Sequence, residues 1–202
     1  RQIDRFFRVN PHYAAQYLAD PLWERRAIAV RYAPQKDLEA LVNDVDEVVR
    51  RAVAYRLPQN KLAQMLDDTD REVRITVADR IEEQQLEKLA GDPDYFVRLT
   101  VVKRLPPGRL FRFIKDEDLQ VRKRVAERLP EISLGLMMHD PAPDVRRIVA
   151  ERLPPEAVAA MLDDSDWLVR YTAACKADAD SLQKLLNDEE ADVRELVRQR
   201  LA

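Results

Sequence analysis

The chain has 202 residues, of which 46% are hydrophobic and 35% are charged, and its formal net charge is −3. The apolar fraction is too high for a disordered chain, and the small negative charge argues against a general nucleic-acid-binding protein, which usually carries a basic surplus. With one cysteine, Cys175, the chain cannot build a disulfide framework or a multi-cysteine metal site, which fits a reducing, cytoplasmic location.

The apolar runs of the sequence are only a few residues long. We therefore expect no membrane-spanning segment and no membrane partner, and no secretory signal is visible.

Residues 1–9 correspond to the end of a repeat, because Arg8-Val9 occupy the positions that Arg56-Leu57 occupy later. The chain also opens on Arg1 instead of Met. A helix without its first turn is an unusual natural start, so we expect the native protein to have further sequence upstream.

From residue 10 onward, two residue types recur every 24 positions without an insertion. The aspartates are Asp20, Asp44, Asp68, Asp92, Asp116, Asp140, Asp164 and Asp188, and the arginines are Arg26, Arg50, Arg74, Arg98, Arg122, Arg146, Arg170 and Arg194. A fixed period predicts a repeat array in which each unit packs mainly on its neighbours. We predict a single solenoid domain over 1–202, with repeats 1 to 8 at 10–33, 34–57, 58–81, 82–105, 106–129, 130–153, 154–177 and 178–201.

The first half of each repeat predicts a short helix, since it often begins with Pro and then carries apolar residues at helical spacing, such as Leu62, Met65 and Leu66. Only about nine residues precede the recurring Asp, so a turn or two of 3₁₀ helix is as plausible as α-helix.

The second half of each repeat predicts an α-helix of about ten residues. We expect the recurring Asp to be its N-cap, with Pro at the first helical position in Asp20-Pro21, Asp92-Pro93 and Asp140-Pro141. The Pro that opens the following repeat should end it. No alternation of period two is present, so the predicted fold is all-α, without a β-sheet.

The phrase L-x-x-L-L-x-D-x-D-x-x-V-R-x-x-V-A-x-R-L-P, nearly complete from Leu62 to Ile81 and from Leu110 to Pro130, resembles the leucine-rich repeat variant family of bacteria. The resemblance implies α-helices alternating with 3₁₀ helices in a right-handed superhelix. It also implies that a cysteine-rich N-terminal segment with a [4Fe–4S] cluster, as in the founding type, would lie upstream of Arg1, because only Cys175 is present here. The V-R-x-x-V-A phrase is similar to HEAT-like repeats, which bind proteins and sometimes nucleic acid.

The recurring arginines predict a structural ladder. On a helix, Arg98 points to the flank of the buried face, where it can bond an Asp of its own repeat and the carbonyls or Asp of the next one. The alternative is a row of guanidinium groups that follows phosphates. A second row (Arg56, Arg80, Arg104, Arg128, Arg152 and Arg200, with Lys176 and Tyr32 as replacements) predicts the capping of helix carbonyls, with an exposed basic stripe as the alternative.

Repeat 5 is the basic region of the chain. Its seven basic residues outnumber its four acids, whereas repeats 7 and 8 carry net charges of −2 and −3. The basic residues are Arg109, Arg112, Lys115, Arg122, Lys123, Arg124 and Arg128. Such a region could steer an acidic partner to the chain, and an ordinary solvated face is the competing interpretation.

Trp23, Tyr95 and Trp167 share one repeat position, in the first turn of the predicted α-helix. Exposed aromatic residues on a solenoid would be anchors for a partner, although these could also cover the rim of the core. His12, His139 and Cys175 have no second ligand at metal spacing, and the Asp-x-Asp pairs are better explained by capping.

No nucleophile, base and orienting group come together in the sequence, so we predict no enzyme activity. The predicted function is a repeat scaffold that presents an extended surface to a protein partner, coupled to an upstream iron–sulfur module if the resemblance holds there. The alternative is nucleic-acid binding through the arginine rows and residues 106–129.

Overall fold

The computed structural model describes residues 2–202, and in this range every regular element is a helix. The prediction of an all-α repeat fold is confirmed. Residues 1–105 and 106–202 form two compact units, and the division between them coincides with the boundary of repeats 4 and 5. The assignment of all repeats to a single domain stays a prediction.

In the first unit, a helix over Gln2–Val9 precedes repeats 1 to 4. The α-helices of these repeats are Trp23–Val30, Glu47–Arg56, Arg71–Arg80 and Tyr95–Arg104. Their short helices are 3₁₀ segments over Pro11–Tyr17, Gln35–Leu41 and Gln59–Met65, and in repeat 4 a turn of α-helix, Glu83–Leu86, followed by 3₁₀ helix, Glu87–Leu89.

The second unit repeats this arrangement. Its α-helices are Leu119–Arg128, Pro143–Arg152, Trp167–Ala174 and Ala191–Leu201. The short helices are 3₁₀ segments over Pro107–Phe113 and Glu131–Met137, and mixed segments over Pro155–Val158 with Ala159–Met161 and over Ala179–Leu182 with Gln183–Leu185.

The α-helices begin later than the sequence predicts. The predicted N-cap, for example Asp44, lies two residues before the observed one, Asp46, whose carboxylate accepts a hydrogen bond from the Val48 amide at 3.0 Å. Asp44 instead accepts a bond from the Asp46 amide at 2.9 Å and so closes a turn ahead of the helix. The assignment of the recurring Asp as N-cap, and of the Pro after it as the first helical residue, is therefore wrong. In repeats 2 to 5 and 7 the Asp two residues later caps the helix, whereas Leu22, Ala142 and Glu190 hold the N-cap position without a side-chain hydrogen bond.

The helix ends follow the sequence more closely. The helix of repeat 2 ends at Arg56, Leu57 is extended, and Pro58 then opens the next short helix. Pro fixes its own φ and disfavours helical backbone in the residue before it, which accounts for the recurring stop.

The core of each repeat lies between its short helix and its α-helix. In repeat 3, Leu62 from the short helix, Val73 and Val77 from the α-helix and Ile81 directly after it are completely buried. Burying one such side chain stabilises the fold by about 1.5–3 kcal/mol, so every repeat adds a similar increment. The two helical layers therefore leave two outward surfaces, an α-helix face and a short-helix face.

Candidate partner-binding surface

Arginines of the α-helices hold the recurring aspartate of the next repeat through two parallel hydrogen bonds. In the pair Arg50–Asp68, the guanidinium Nε and Nη2 lie 2.8 and 2.9 Å from the two carboxylate oxygens. Within the units the pairs are Arg26–Asp44, Arg50–Asp68, Arg74–Asp92, Arg122–Asp140, Arg146–Asp164 and Arg170–Asp188. Their side chains are at most 13% exposed, so these charges are directed into the seams between repeats.

The same guanidinium groups also bond the backbone of their own repeat. Nη1 of Arg50 donates to the Asp44 carbonyl at 2.8 Å, and Arg98 makes the same bond to the Asp92 carbonyl at 2.8 Å. Three guanidinium nitrogens of Arg50 are thus committed within the chain. This arrangement links the turn before one helix to the turn before the next.

The remaining aspartates and the last arginine of these rows lie in the same local setting. Asp20 and Asp116 each accept a hydrogen bond at 2.9 Å from the amide two residues on. Arg194 donates Nη1 to the carbonyls of Asp188 and Glu189. They belong to the same turns as the paired residues.

Three of the paired aspartates, Asp44, Asp164 and Asp188, have a lowered pKa and so remain ionised to lower pH than an ordinary aspartate. Burial alone would raise the pKa of Asp164, but hydrogen bonds from Arg146 and from the Asp166 amide outweigh it, so that the pKa lies below its ordinary value of 3.8. The hydrogen bond from Arg170 is the main cause of the lowered pKa of Asp188. Both carboxylates are therefore stabilised in the charged form by the seam.

The second basic row reaches in the opposite direction, to the preceding repeat. Nη1 of Arg80 donates to the carbonyls of Ala54 and Leu57 at the end of the previous α-helix. Arg56, Arg104, Arg152 and Arg200 bond the corresponding carbonyls of their preceding repeats, and Lys176 does so through its ammonium group. The carbonyls that a helix end leaves without partners are thereby satisfied. The second basic row thus caps the α-helix of the preceding repeat. Burial of the Arg56 guanidinium in this position lowers its pKa.

The basic residues of repeat 5 do not form one patch. Arg109, Arg112 and Lys115 lie on the short-helix face, whereas Lys123 and Arg124 lie on the α-helix, across the core. Lys123 contacts Asp144 at 3.4 Å, and Arg124 pairs with Glu127 at 2.8 Å. With Arg122 bonded to Asp140, the positive charge of this repeat is concentrated on its short-helix side.

The three aromatic residues at the shared position are the first residues of their α-helices and are substantially exposed. Trp23, Tyr95 and Trp167 retain 40%, 40% and 38% of their accessible surface. Trp167 stands edge-on to Tyr171, with ring centroids 6.5 Å apart, and both line a groove of about 250 Å³ between the α-helices of repeats 7 and 8. Each aromatic is available to a partner, and they lie in separate repeats.

A larger apolar groove lies on the α-helix face of repeats 1 and 2, and our sequence reasoning missed it. Its volume is about 700 Å³, and Val48, Ala52 and Tyr55 form one wall, opposite Ala27 and Arg31. Val48 is 43% exposed and Tyr55 72%. Val48, Ala52 and Tyr55 follow helical spacing on the side of the helix away from the core. The helix of repeat 2 is therefore apolar on two opposite sides, and this pattern in the sequence could have revealed the groove.

The polar residues that often mark catalysis or metal binding stay apart. Among residues 2–202, no group of three or more His, Cys, Asp or Glu side chains has the geometry of a metal site. His12, His139 and Cys175 are each exposed at the surface. Neighbouring groups partly desolvate the Cys175 thiol and raise its pKa, which disfavours the reactive thiolate. A [4Fe–4S] cluster usually needs four thiolates, so the residues present do not fit one.

No helix in the described range has the length and apolar character needed to cross a bilayer.

Comparison with known proteins identifies a family and a similar solved structure. The family model described as "Leucine rich repeat variant" matches residues 143–166. A solved structure described as "a leucine-rich repeat variant with a novel repetitive protein structural motif" is 60% identical, over 100% of this chain and 86% of that chain, with a TM-score of 0.94. No curated protein matches the chain.

Two further solved structures are similar only at a low level. An engineered protein is 17% identical over 95% of this chain and 67% of its own, with a TM-score of 0.35. A designed armadillo repeat protein is 14% identical over 95% of this chain and 98% of its own, with a TM-score of 0.31. Neither score defines a shared fold. With 60% identity along its whole length to a solved member, the chain belongs to the leucine-rich repeat variant family.

Proposed function

We propose that the chain is a non-enzymatic repeat scaffold that binds a partner protein along the α-helix face of its first unit. The groove at Val48, Ala52 and Tyr55 carries this proposal. Exposed apolar residues in a concave site mark interaction surfaces, and an aromatic ring such as Tyr55 supplies much contact area at little cost in conformational entropy.

The ladders support the proposal by accounting for the repeated charged residues. Arg50 and Arg80 are bonded to neighbouring repeats and are not available to a ligand. Binding must then depend on the positions at which the repeats differ. On the α-helix face such positions are apolar at Val48 and Tyr55 in repeat 2 and at Leu168 and Tyr171 in repeat 7. The pair in repeat 2 lines the larger groove, about 700 Å³ against about 250 Å³.

The groove is apolar on its walls and basic at its edges. Arg31 and Arg51 line it, and their nearest acids, Asp4 and Glu72, lie 3.7 and 3.8 Å away on exposed parts of the surface. Exposed pairs of this length are weak, so both arginines can exchange these partners for carboxylates of a bound chain. A partner segment with an apolar side chain between acidic residues has the required chemistry.

The experiment that tests this function compares the proteins captured by the wild-type chain with those captured by the Val48→Gln, Tyr55→Glu variant. Binding of a purified captured partner should weaken by about tenfold or more, because both substitutions remove apolar contact at the centre of the groove. The matched control is Gln120→Glu, Glu127→Gln, which alters the same two positions in repeat 5 and should bind normally. If no captured protein depends on Val48 and Tyr55, the proposal is wrong.

Nucleic-acid binding is the weaker candidate, because the arginine rows are bonded within the chain and the basic residues of repeat 5 are divided between two faces. A salt titration with labelled DNA and RNA tests it, since phosphate contacts give an affinity that falls steeply with salt.

The iron–sulfur module stays a prediction that rests on family resemblance. Iron and sulfide analysis of a longer form of the protein, if its gene encodes one, would test that prediction.

A further inference from the structure

The short helix of repeat 5 differs in charge from every other short helix of the chain. Residues 106–115 contain three basic residues and no acid, a net charge of +3, whereas the equivalent ten residues of the other repeats carry net charges between −2 and 0. The three cations are Arg109, Arg112 and Lys115. They are exposed on the short-helix face.

The geometry of this helix places the three cations in a row. Pro107–Phe113 is a 3₁₀ helix, which has three residues per turn, so that side chains three positions apart lie above one another. Arg109 and Arg112 have this spacing, and Lys115 follows in the turn directly after the helix. A rise of about 2 Å per residue makes the row about 12 Å long.

Exposed apolar side chains stand next to this row, in repeats 5 and 6. Leu136 occupies the repeat position of Arg112 and is 60% exposed, and Ile132, at the start of the same short helix, is 96% exposed. Phe111 is also exposed. In the first unit the position of Leu136 is held by Gln16, Ala40, Gln64 and Lys88.

A groove of about 390 Å³ is lined by one residue of each group, Lys115 and Leu136, and Met137 adds apolar surface. Two acids also line it. Asp140 is paired with Arg122, and Asp116 accepts a hydrogen bond from the Asp118 amide. The groove therefore places a cation beside an apolar wall.

We infer that Arg109, Arg112 and Lys115, together with the groove beside Leu136, bind an acidic segment of a partner polypeptide that carries a bulky apolar side chain. Its carboxylates pair with Arg112 and Lys115, and its apolar side chain lies against Leu136. A concave site with an apolar wall suits a peptide chain better than a flat lipid surface, and nucleic acid would make no use of Leu136 or Ile132. This surface lies on the short-helix face, so the inference does not depend on the function proposed for the α-helix face.

The test is selection of a random peptide library displayed on phage against the immobilised full chain, followed by fluorescence anisotropy with the enriched peptides. We expect the enriched peptides to be net negative and to contain a large apolar residue. The Arg112→Glu, Lys115→Glu variant should weaken their binding by about tenfold or more, and higher salt should weaken their binding to wild type. Leu136→Ser should weaken binding through the apolar contact alone and keep the salt dependence of wild type, because both cations remain.

The matched control is Lys88→Glu, which reverses a charge at the position of Arg112 in repeat 4 and should leave the affinity within about twofold of wild type. Circular dichroism melts of all variants check that these exposed substitutions leave the fold intact. Enriched peptides that are neutral or basic, or that bind the variants as well as wild type, would overturn the inference. Binding of oligothymidine or of phosphatidylserine-containing vesicles that is lost in the Arg112, Lys115 variant, with no acidic peptide enriched, would overturn the assignment to a polypeptide.

Discussion

Repeats 2 and 5 have the same backbone and the same seam chemistry but opposite α-helix surfaces. The four outward positions are Val48, Arg51, Ala52 and Tyr55 in repeat 2 and Gln120, Lys123, Arg124 and Glu127 in repeat 5. In repeat 2 they line an apolar groove, and in repeat 5 two of them form an ion pair with each other. The chain therefore changes its surface without changing how its repeats stack.

The reason is that stacking and surface use different residues. The helix of repeat 2 sends Arg50 to Asp68, and the helix of repeat 5 sends Arg122 to Asp140, at the same Nε to Oδ2 distance of 2.8 Å. Neither pair involves an outward position. If this separation is real, seam substitutions should have the same effect in either unit, and surface substitutions should change binding without changing stability.

The largest expected effect comes from removing a seam arginine. Arg50→Met and Arg146→Met each leave a nearly buried aspartate, Asp68 or Asp164, without its cation. Each variant should lose about 3 kcal/mol of unfolding free energy, because an unpaired buried charge is costly. Urea denaturation at neutral pH measures both losses.

The control is the double variant Arg50→Met, Asp68→Leu, which removes both charges and should recover much of the loss. Losses that differ widely between the two single variants would break the comparison, since the seams would then not be equivalent. An unchanged midpoint in both would show that the arginines are solvated.

The next effect is the dependence of stability on pH. Because the pKa of Asp164 is below 3.8 in the folded chain, its carboxylate contributes stability that is fully present above about pH 4 and is lost as the pH falls further. Asp164→Asn should lose about 2 kcal/mol at neutral pH and show a weaker fall in stability between about pH 4 and 2.5 than wild type. Urea midpoints across this range measure it.

Asp163→Asn is the control for that substitution, because Asp163 is adjacent in sequence but has an exposed side chain paired with Lys184. Its pH profile should follow that of wild type. If the stability of Asp164→Asn falls with decreasing pH in parallel with wild type, the acid sensitivity belongs to other groups.

A smaller effect is expected from the row that reaches back to the preceding repeat. Arg80→Ala leaves the carbonyls of Ala54 and Leu57 without their donor and should cost about 1.5 kcal/mol. Arg80→Lys should restore part of this, because Lys176 in repeat 7 reaches the equivalent of the Leu57 carbonyl, that of Leu153, and the carbonyl of Glu151. Equal melting temperatures for Arg80→Ala and Arg80→Lys would show that the carbonyls of Ala54 and Leu57 find other partners.

How far the sequence could predict this structure depends on whether the determining contacts are local. Repeat length and the helix ends before a Pro, such as the Pro58 that follows Leu57, follow from residues close in sequence and were predicted correctly. The type of the short helices was left open between 3₁₀ and α. The N-cap was misplaced because Asp44 and Asp46 are both good caps, and the pairing of Asp44 with Arg26, in the repeat before, is not a local contact.

The candidate surface was harder to predict for the same reason. The direction of the second arginine row depends on carbonyls 23 and 26 residues away, as for Arg80, which no local pattern specifies. The grooves are also products of stacking, since Lys115 and Leu136 meet only when repeats 5 and 6 are packed together. Comparing equivalent positions of successive repeats would have found the apolar stripe at Val48, Ala52 and Tyr55.

The smallest effect on stability, and the sharpest test of the comparison, is an exchange of the two surfaces. Val48→Gln, Arg51→Lys, Ala52→Arg and Tyr55→Glu together give repeat 2 the outward residues of repeat 5. None of the four contacts a seam pair, so the unfolding free energy should change by less than about 1 kcal/mol in all, because exposed substitutions usually have effects within about 0.5 kcal/mol of either sign. Binding of the partner protein should nevertheless be lost, because the apolar wall of the groove is gone. Urea denaturation and a binding titration on the same sample separate the two results. A variant that unfolds much more easily would mean that the outward residues also hold the stack, and the division between seam and surface would fail.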